Sequence, residues 1–405
     1  MKVVIIGNGV AGITAARVIR DRDPDAEIAV YTREPYHYYY RPRLPEVVAG
    51  ELEIGDILAN PPEWYSARRI DVHLSRPVAT VDAQARVVRL SDGAAVPYDR
   101  LLVAAGSDPF VPPVEGAEKA GVFALRTADQ AVAIRDWARH SERAVVVGSG
   151  LLGLECARGL RKAGLDVTAL ESASWILKRQ LDETGAALLE RFIEGLGIRI
   201  AKEAKITTVR GNGRATGVAL EDGRVLPADL VLFATGVRCS SGFLSGSGIR
   251  VNNGVVVDCD MRSSSADVFA AGDVAEYEGR SWGIVPVALA QADAAGRSIT
   301  GDETRKRCDV VPSTTLKVTG IDVFSAGVQS CTDPLCREHV EYGEGAGRYR
   351  KVVTQGGRIV GAIVIGSRKG VREIGIMIEK GTPVGRYEGS IAREDFDFRA
   401  ALAGS

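Results

Sequence analysis

Cysteine is sparse in this chain: six residues in 405, with no CxxC among them. That scarcity excludes a disulfide-dense scaffold. The one close pair, Cys331 and Cys336, has no further Cys or His nearby to complete a metal-ligand spacing. The cysteines therefore read as reduced thiols in loops or core. Long apolar runs are missing too, since none approaches the ~18 residues of a membrane span. The first apolar run begins at Val3, which leaves no room for a signal peptide and makes a cytoplasmic location the expectation. Neither sign of charge is in surplus. Lys+Arg 51 against Asp+Glu 52 gives −1, so no bulk field favours nucleic acid or an anionic membrane.

Glycine, by contrast, is abundant, with 46 residues set in turns between short apolar runs. An apolar content of 45% and a length of 405 fit a globular chain of two or three α/β domains, at ~150 residues each. The most informative stretch opens the chain. Lys2–Ile6 is an apolar run, Gly7-Asn8-Gly9-Val10-Ala11-Gly12 follows at once, Ile13–Ile19 reads as a helix and Glu27–Tyr31 as a second strand. GxGxxG in this strand–turn–helix–strand setting predicts a dinucleotide site. Gly7 makes the turn, Gly9 lets backbone approach a pyrophosphate, and Gly12 lets helix and strand pack closely. The helix N-terminus favours the phosphates. Glu34, 22 residues past Gly12, is the first acid after the second strand and the candidate ribose ligand.

The pattern returns 141 positions later. Ala144–Val147 is a buried strand, Gly148-Ser149-Gly150-Leu151-Leu152-Gly153 the turn, Leu154–Ala163 a helix and Val167–Leu170 a strand ending on Glu171. Two fingerprints imply two dinucleotides or two independent nucleotide sites. Between and after them, short strands are expected at Ile70–Leu74, Val78–Val81 and Val87–Leu90. Ile198–Ala201, Ile206–Val209 and Ala215–Leu220 read as a small antiparallel patch. Helices are expected at Thr127–His140, Leu188–Leu196 and Pro286–Ile299. From about Val310 the chain reads as a separate α+β unit. Its strands are Ser313–Val318, Val323–Gly327, Tyr349–Thr354 and Arg358–Ile365, followed by a helix over Gly370–Lys380. Gly381–Ser405 reads as an irregular segment, either docking on a neighbour or disordered alone. The run Pro35–Leu44 carries five ring-bearing residues and ends with two arginines. It lines a flat anionic cofactor or packs as an aromatic cluster in a loop, and the sequence does not choose between these.

The paired fingerprints join two small-residue strand ends, Ala104-Ala105-Gly106-Ser107 and Ala234-Thr235-Gly236, and a late Ala270-Ala271-Gly272-Asp273-Val274-Ala275. With Tyr39-Tyr40-Arg41-Pro42-Arg43-Leu44 and Leu316-Lys317-Val318-Thr319-Gly320, the chain resembles the two-nucleotide (FAD/NAD) pyridine nucleotide-disulfide oxidoreductases. Within them it is most similar to the NADH:rubredoxin reductases and the flavin part of NADH-dependent nitrite reductases. The resemblance spans roughly residues 1 to 380. It implies an α/β fold of two Rossmann-like, glutathione-reductase-like domains plus a C-terminal α+β domain. The FAD-binding part would be discontinuous, 1–112 and 242–309. The NAD(H)-binding domain would be 113–241, the C-terminal domain 310–385 and the tail 386–405.

The resemblance also implies roles. Gly7, Gly9, Gly12 and Arg41 would lie at the FAD phosphates, Glu34 at its ribose, Arg126 and Gly106 near the cofactor. Gly272 and Asp273 would lie at its ribityl chain, although a strand-end Asp is also an ordinary turn residue. The helix after Pro286 would aim its N-terminus at the flavin. Gly148, Gly150, Gly153 and Gly236 would serve NAD(H), and Glu171 its ribose, favouring NADH over NADPH. Lys178 and Arg179 leave NADPH open. Glu155 would sit near the nicotinamide or else be a helix-surface charge. Arg43 is the candidate cation near the flavin. Unlike the thiol-using members, Arg41–Gly50 holds no cysteine, which argues against a thiol relay. The implied function is hydride transfer between NAD(H) and flavin, then single-electron exchange with an iron–sulfur protein, as a diffusing rubredoxin-like carrier or a partner subunit of a redox complex. The competing readings are a peroxide-forming NADH oxidase and a non-enzymatic FAD-binding interaction protein.

Overall fold

The structure, a computed structural model, describes residues 1–302, 313–318, 320–331, 333–343, 345 and 347–403. Two five-stranded parallel sheets organise its first three hundred residues. In one, the order is Val268–Ala270, Arg100–Val103, Lys2–Ile6, Glu27–Tyr31, Ile70–His73. In the other it is Val122–Ala124, Leu230–Phe233, Arg143–Val147, Asp166–Leu170, Ile198–Ala201. Four of the five strands follow the same order in both sheets; the remaining edge strand is the last in chain order in the first sheet and the first in the second. Val3, Val4 and Ile5, like Val145 and Val146, are buried to 1% exposure or less. A parallel strand covered on both faces needs such an unbroken apolar run. The helix Val10–Arg22 packs one face of the first sheet against the helix Val285–Ile299, where a Cβ at Gly296 would stand 2.8 Å from Val18.

Each sheet carries a three-stranded antiparallel patch: Val78–Asp82, Val87–Leu90 and Ala95–Pro97 in one half, and Ile206–Arg210, Gly217–Leu220 and Val225–Pro227 in the other. Both patches slip register early in their first strand, at Val78/Thr80 and at Ile206/Thr208. Ile198–Ala201, expected in the second patch, instead pairs parallel with Asp166–Leu170. The reason is the helix Glu183–Gly195, which starts five residues before the expected Leu188. Asp182 caps it, its carboxylate accepting from Gly185 N at 3.0 Å. The helix therefore covers the sheet and returns the chain parallel to its start.

The C-terminal sheet is antiparallel throughout: Ser313–Val318, Ile321–Gly327, Arg358–Ile365, Arg348–Gln355, Cys336–Gly343. The edge strand Cys336–Gly343 was not expected, because its polar, mostly exposed pattern carries no alternation that points to a buried face. The reading of Cys331 and Cys336 as reduced thiols is also corrected. They form a disulfide with Cα atoms 6.0 Å apart. Asp333 folds the intervening turn by accepting from Leu335 N at 2.8 Å, and that turn brings the two thiols together. The segment after Gly381 is corrected as well. Ile391, Phe398 and Ala401 are buried in the core of this same unit, with Phe398 seated on Gly370. Arg350 pins it by donating to the carbonyl of Arg393 at 2.9 Å. Tyr349 and Lys351 tie the unit to the second half through Asp182, at 2.6 and 3.0 Å. The expected limit at 309/310, Cys308 and Thr319 lie outside the described residues.

Candidate functional site

At the first glycine turn, Gly7 takes φ +112 and donates to the Tyr31 carbonyl at 2.8 Å. A side chain there would collide with the carbonyl of Ala104, and one at Gly12 with the carbonyl of Gly7. Gly9 differs. A Cβ on it would meet only Arg41, with Nη1 3.3 Å away. Among the described residues no side chain caps the helix that begins at Val10, so its first N–H groups have no side-chain acceptor. Such an N-terminus favours an anion.

Arg41 is held from behind. Its Nη2 pairs with one oxygen of Glu34, and the Tyr39 hydroxyl donates to the other. Tyr39 in turn accepts from Ala128 N at 3.0 Å. Arg41 Nε is buried with no partner among the described residues. Burial works against the charge of Arg41, but Tyr39 and Glu34 outweigh it and raise its pKa. Most of the aromatic run packs, while Tyr40 is exposed. Tyr39 is 2% exposed, Tyr36 meets it edge-on at 6.2 Å, and His37 meets Tyr65 at 4.7 Å with the rings tilted by 33°. Burial lowers the His37 pKa, and its Nδ1 has no partner among the described residues.

Asp273 gathers the far ends of the chain. Arg126 Nη2 and Ser107 Oγ both reach its Oδ2, at 2.7 and 2.9 Å. Gly106, at φ +73, would place a Cβ 3.2 Å from that arginine. Gly272, at φ +81, lies against Ala11 at the start of the first helix, and its N–H donates to Gln291 at 2.9 Å. Cys239 donates its thiol proton to the Asp273 carbonyl at 2.9 Å, and burial raises its pKa, so it is held as a thiol. The helix Val285–Ile299 starts nearby without a side-chain cap.

The second turn repeats the first with a different surround. Gly148 has φ +106 and donates to Leu170 O at 2.9 Å, and a Cβ on Gly153 would collide with Gly148 O. Among the described residues nothing lies within 4 Å of a Cβ at Gly150. The fully buried Ser149 donates to one oxygen of Glu171, and Ala173 N reaches the other at 2.8 Å. Lys178 lies over the Trp175 ring at 4.7 Å. Gly236, at φ +109, accepts from Phe110 N at 2.9 Å. Glu155 has Arg158 at 4.0 Å, and Arg43 is bound by Glu46 through Nη2 at 2.7 Å and Nε at 3.1 Å.

Sequence reasoning did not single out Tyr39, Ser107, Ser149 or Gln291. Ser107 and Ser149 stood inside quoted glycine motifs, and Gln291 was the lone amide in an alanine-rich helix, which is a usable signal. Tyr39 gave none, because it was one of five rings. No helix among the described residues is long and apolar enough to cross a membrane.

A family model described as pyridine nucleotide-disulphide oxidoreductase matches residues 1–292, and one for the rubredoxin NAD+ reductase C-terminal domain matches residues 312–382. The chain is 34% identical over 380 residues to a nitrite reductase [NAD(P)H] of Bacillus subtilis (strain 168), covering 94% of this chain and 47% of that protein. It thus spans about half the length of that relative. It is 31% identical over 326 residues to the NADH-rubredoxin oxidoreductase of Clostridium acetobutylicum, covering 80% and 81%. Among solved structures, the covalent putidaredoxin reductase–putidaredoxin complex superposes with a TM-score of 0.90 at 26% identity, covering 100% of this chain and 98% of that one.

Proposed function

This chain belongs to the pyridine nucleotide-disulphide oxidoreductase family, and from that premise we propose that it is an NADH-dependent flavoprotein oxidoreductase serving a separate iron–sulfur protein. One observation carries the reading. Arg126 and Ser107 converge on Asp273 while Gly272 abuts the helix that opens from the first glycine turn. Residues from Ala11 to Asp273 therefore build one cradle.

The first cradle fits FAD. Gly9 leaves its backbone open except toward Arg41, and Arg41 carries a buried, unsatisfied Nε of the kind that phosphate oxygens satisfy. The second fits the adenosine half of NAD(H). Gly150 is open, and Glu171 is fixed beside the turn by Ser149. When bound, NAD(H) supplies the hydride chemistry and FAD couples it to one-electron exchange. Gly7, Gly9, Gly12 and Arg41 would hold the FAD phosphates, with Gly106, Arg126, Gly272 and Asp273 along the rest of the cofactor. Gly148, Gly150, Gly153 and Gly236 would admit the nicotinamide nucleotide, and the Glu171 carboxylate would accept from its ribose and repel a 2′-phosphate. The uncapped Val285–Ile299 helix would direct its positive end at charge building on the flavin. Glu155 and Arg43 each lie beside an opposite charge, so we assign them a part in the local field and not in proton transfer. The matching domain limits are 1–112 with 242–309 for FAD, 113–241 for NAD(H) and 310–385 for the C-terminal unit, into whose core Ile391, Phe398 and Ala401 of the 386–405 segment pack.

The iron–sulfur acceptor is supported by a relative named for rubredoxin and by a structural neighbour solved with putidaredoxin. Relatives named as an electron transfer subunit and as a large subunit support a place in a larger complex. The test is direct. Purified protein should be yellow, NADH should bleach it much faster than NADPH, and a rubredoxin- or ferredoxin-type protein should be reduced at the expense of NADH. A colourless protein that takes up no FAD overturns the reading, and rapid oxygen uptake without any carrier replaces the acceptor with oxygen.

A further inference from the structure

The two glycine turns can be aligned by hydrogen bonds rather than by counting. Gly7 N donates to Tyr31 O as Gly148 N donates to Leu170 O. One residue on, Thr32 N donates to His73 O as Glu171 N donates to Ala201 O. The position equivalent to Glu171 is therefore Thr32, and Glu34 lies two residues beyond it, where the second half has Ala173. Its surroundings differ accordingly. The Glu171 carboxylate returns to the glycine turn through Ser149, while the Glu34 carboxylate turns away to Arg41 and Tyr39, one oxygen to each. Asn8, the counterpart of Ser149, is bonded to Tyr65 and to the Tyr36 carbonyl instead.

From this geometry we infer that Glu34 is a positioning residue for Arg41 and not a ligand of the cofactor's ribose. Tyr39 is buried and anchored on Ala128 N, so it fixes the carboxylate, and the carboxylate fixes the guanidinium over the open backbone of Gly9. An arginine has several rotatable bonds, and pinning one end of its fork leaves the remaining donors aimed at an anion before any anion arrives. The assignment rests on the reading that the first turn holds FAD.

The test uses full-length apoprotein titrated with FAD and with the FAD analogue lacking the adenosine 2′-hydroxyl, read by flavin fluorescence. Glu34→Gln should weaken both ligands by the same factor, about tenfold, as expected for losing one charge-assisted contact. In an Arg41→Gln background the same substitution should cost less than about twofold, because the contact it supports is already gone. A Glu34→Gln penalty that disappears with the 2′-deoxy analogue, or that stays undiminished beside Arg41→Gln, makes Glu34 a ribose ligand and overturns the assignment. If Glu34→Gln does not fold, Glu34→Asp is measured by the same two criteria. Wild-type apoprotein that binds neither flavin overturns the FAD reading itself, an outcome distinct from either mutant result.

Discussion

The two halves of this molecule share the order of four core strands, a glycine turn and an appended antiparallel patch that even slips register at the same place. They differ in what leans over the turn. In the first half, Arg41, Glu34 and Tyr39 form a buried brace above Gly9. In the second, Gly150 is clear and the acid is tethered by a serine from within the turn. A braced site suits a group kept through every turnover, and an open one suits a nucleotide that must enter and leave. On the proposed reading, one backbone design would serve two residence times, set by a few side chains.

The largest way to break the comparison is to reverse the charge on the open side. Glu171→Arg should lower kcat/KM for NADH about 100-fold and favour NADPH, by removing carboxylate hydrogen bonds and adding a phosphate partner. Steady-state kinetics with both nucleotides check it, and FAD content should not change. Unchanged preference would falsify the role given to Glu171. Next come the glycines. Gly12→Ala should destabilise the fold by about 2–3 kcal/mol, because its Cβ meets the Gly7 carbonyl, a fixed backbone atom. Gly150→Ala has nothing within 4 Å and should leave thermal stability nearly unchanged while raising KM for NADH. Equal melting temperatures for the two variants would remove the distinction.

A smaller effect is expected at Ser149→Ala. Freed from its hydroxyl partner, Glu171 should bind the ribose less well, by ~1 kcal/mol or about fivefold in KM, with kcat and flavin content held. The split between KM and kcat is the readout. The smallest concerns acid. Burial holds the His37 pKa below its ordinary 6.5. The unfolded chain therefore binds the proton more readily, so this stability is present above about pH 6.5 and is lost as pH falls toward the folded value. His37→Gln should flatten the decline in melting temperature between pH 7 and pH 5 that the first half otherwise contributes. An unaltered decline would move the acid sensitivity elsewhere.

Much of this was legible in one dimension. The turn at Gly7 and its repeat at Gly148 each combine a steric requirement and a hydrogen-bond requirement inside a dozen residues. Asp273 and Arg126 were found only through resemblance, because nothing local ties residues 147 positions apart, and the fold joins them at 2.7 Å. Ile198–Ala201 was placed in the wrong sheet because a four-residue apolar strand carries no mark of its partner's direction; the preceding helix decides that. The same holds for Cys331 and Cys336, whose spacing permits a disulfide without requiring one, and for Phe398, whose burial depends on a pocket opened by Gly370.

By itself the sequence determined that the chain folds as two glycine-turn nucleotide units, since backbone sterics and apolar periodicity act over short spans and leave little choice. Tertiary structure alone decided which way each acid near those turns points. Spacing gave Glu34 and Glu171 the same role, whereas a two-residue shift against the neighbouring strand turns one toward the glycines and the other toward an arginine. A side chain's direction is fixed by the hydrogen-bond register of the strand that carries it, and that register is set by partners the local sequence does not contain.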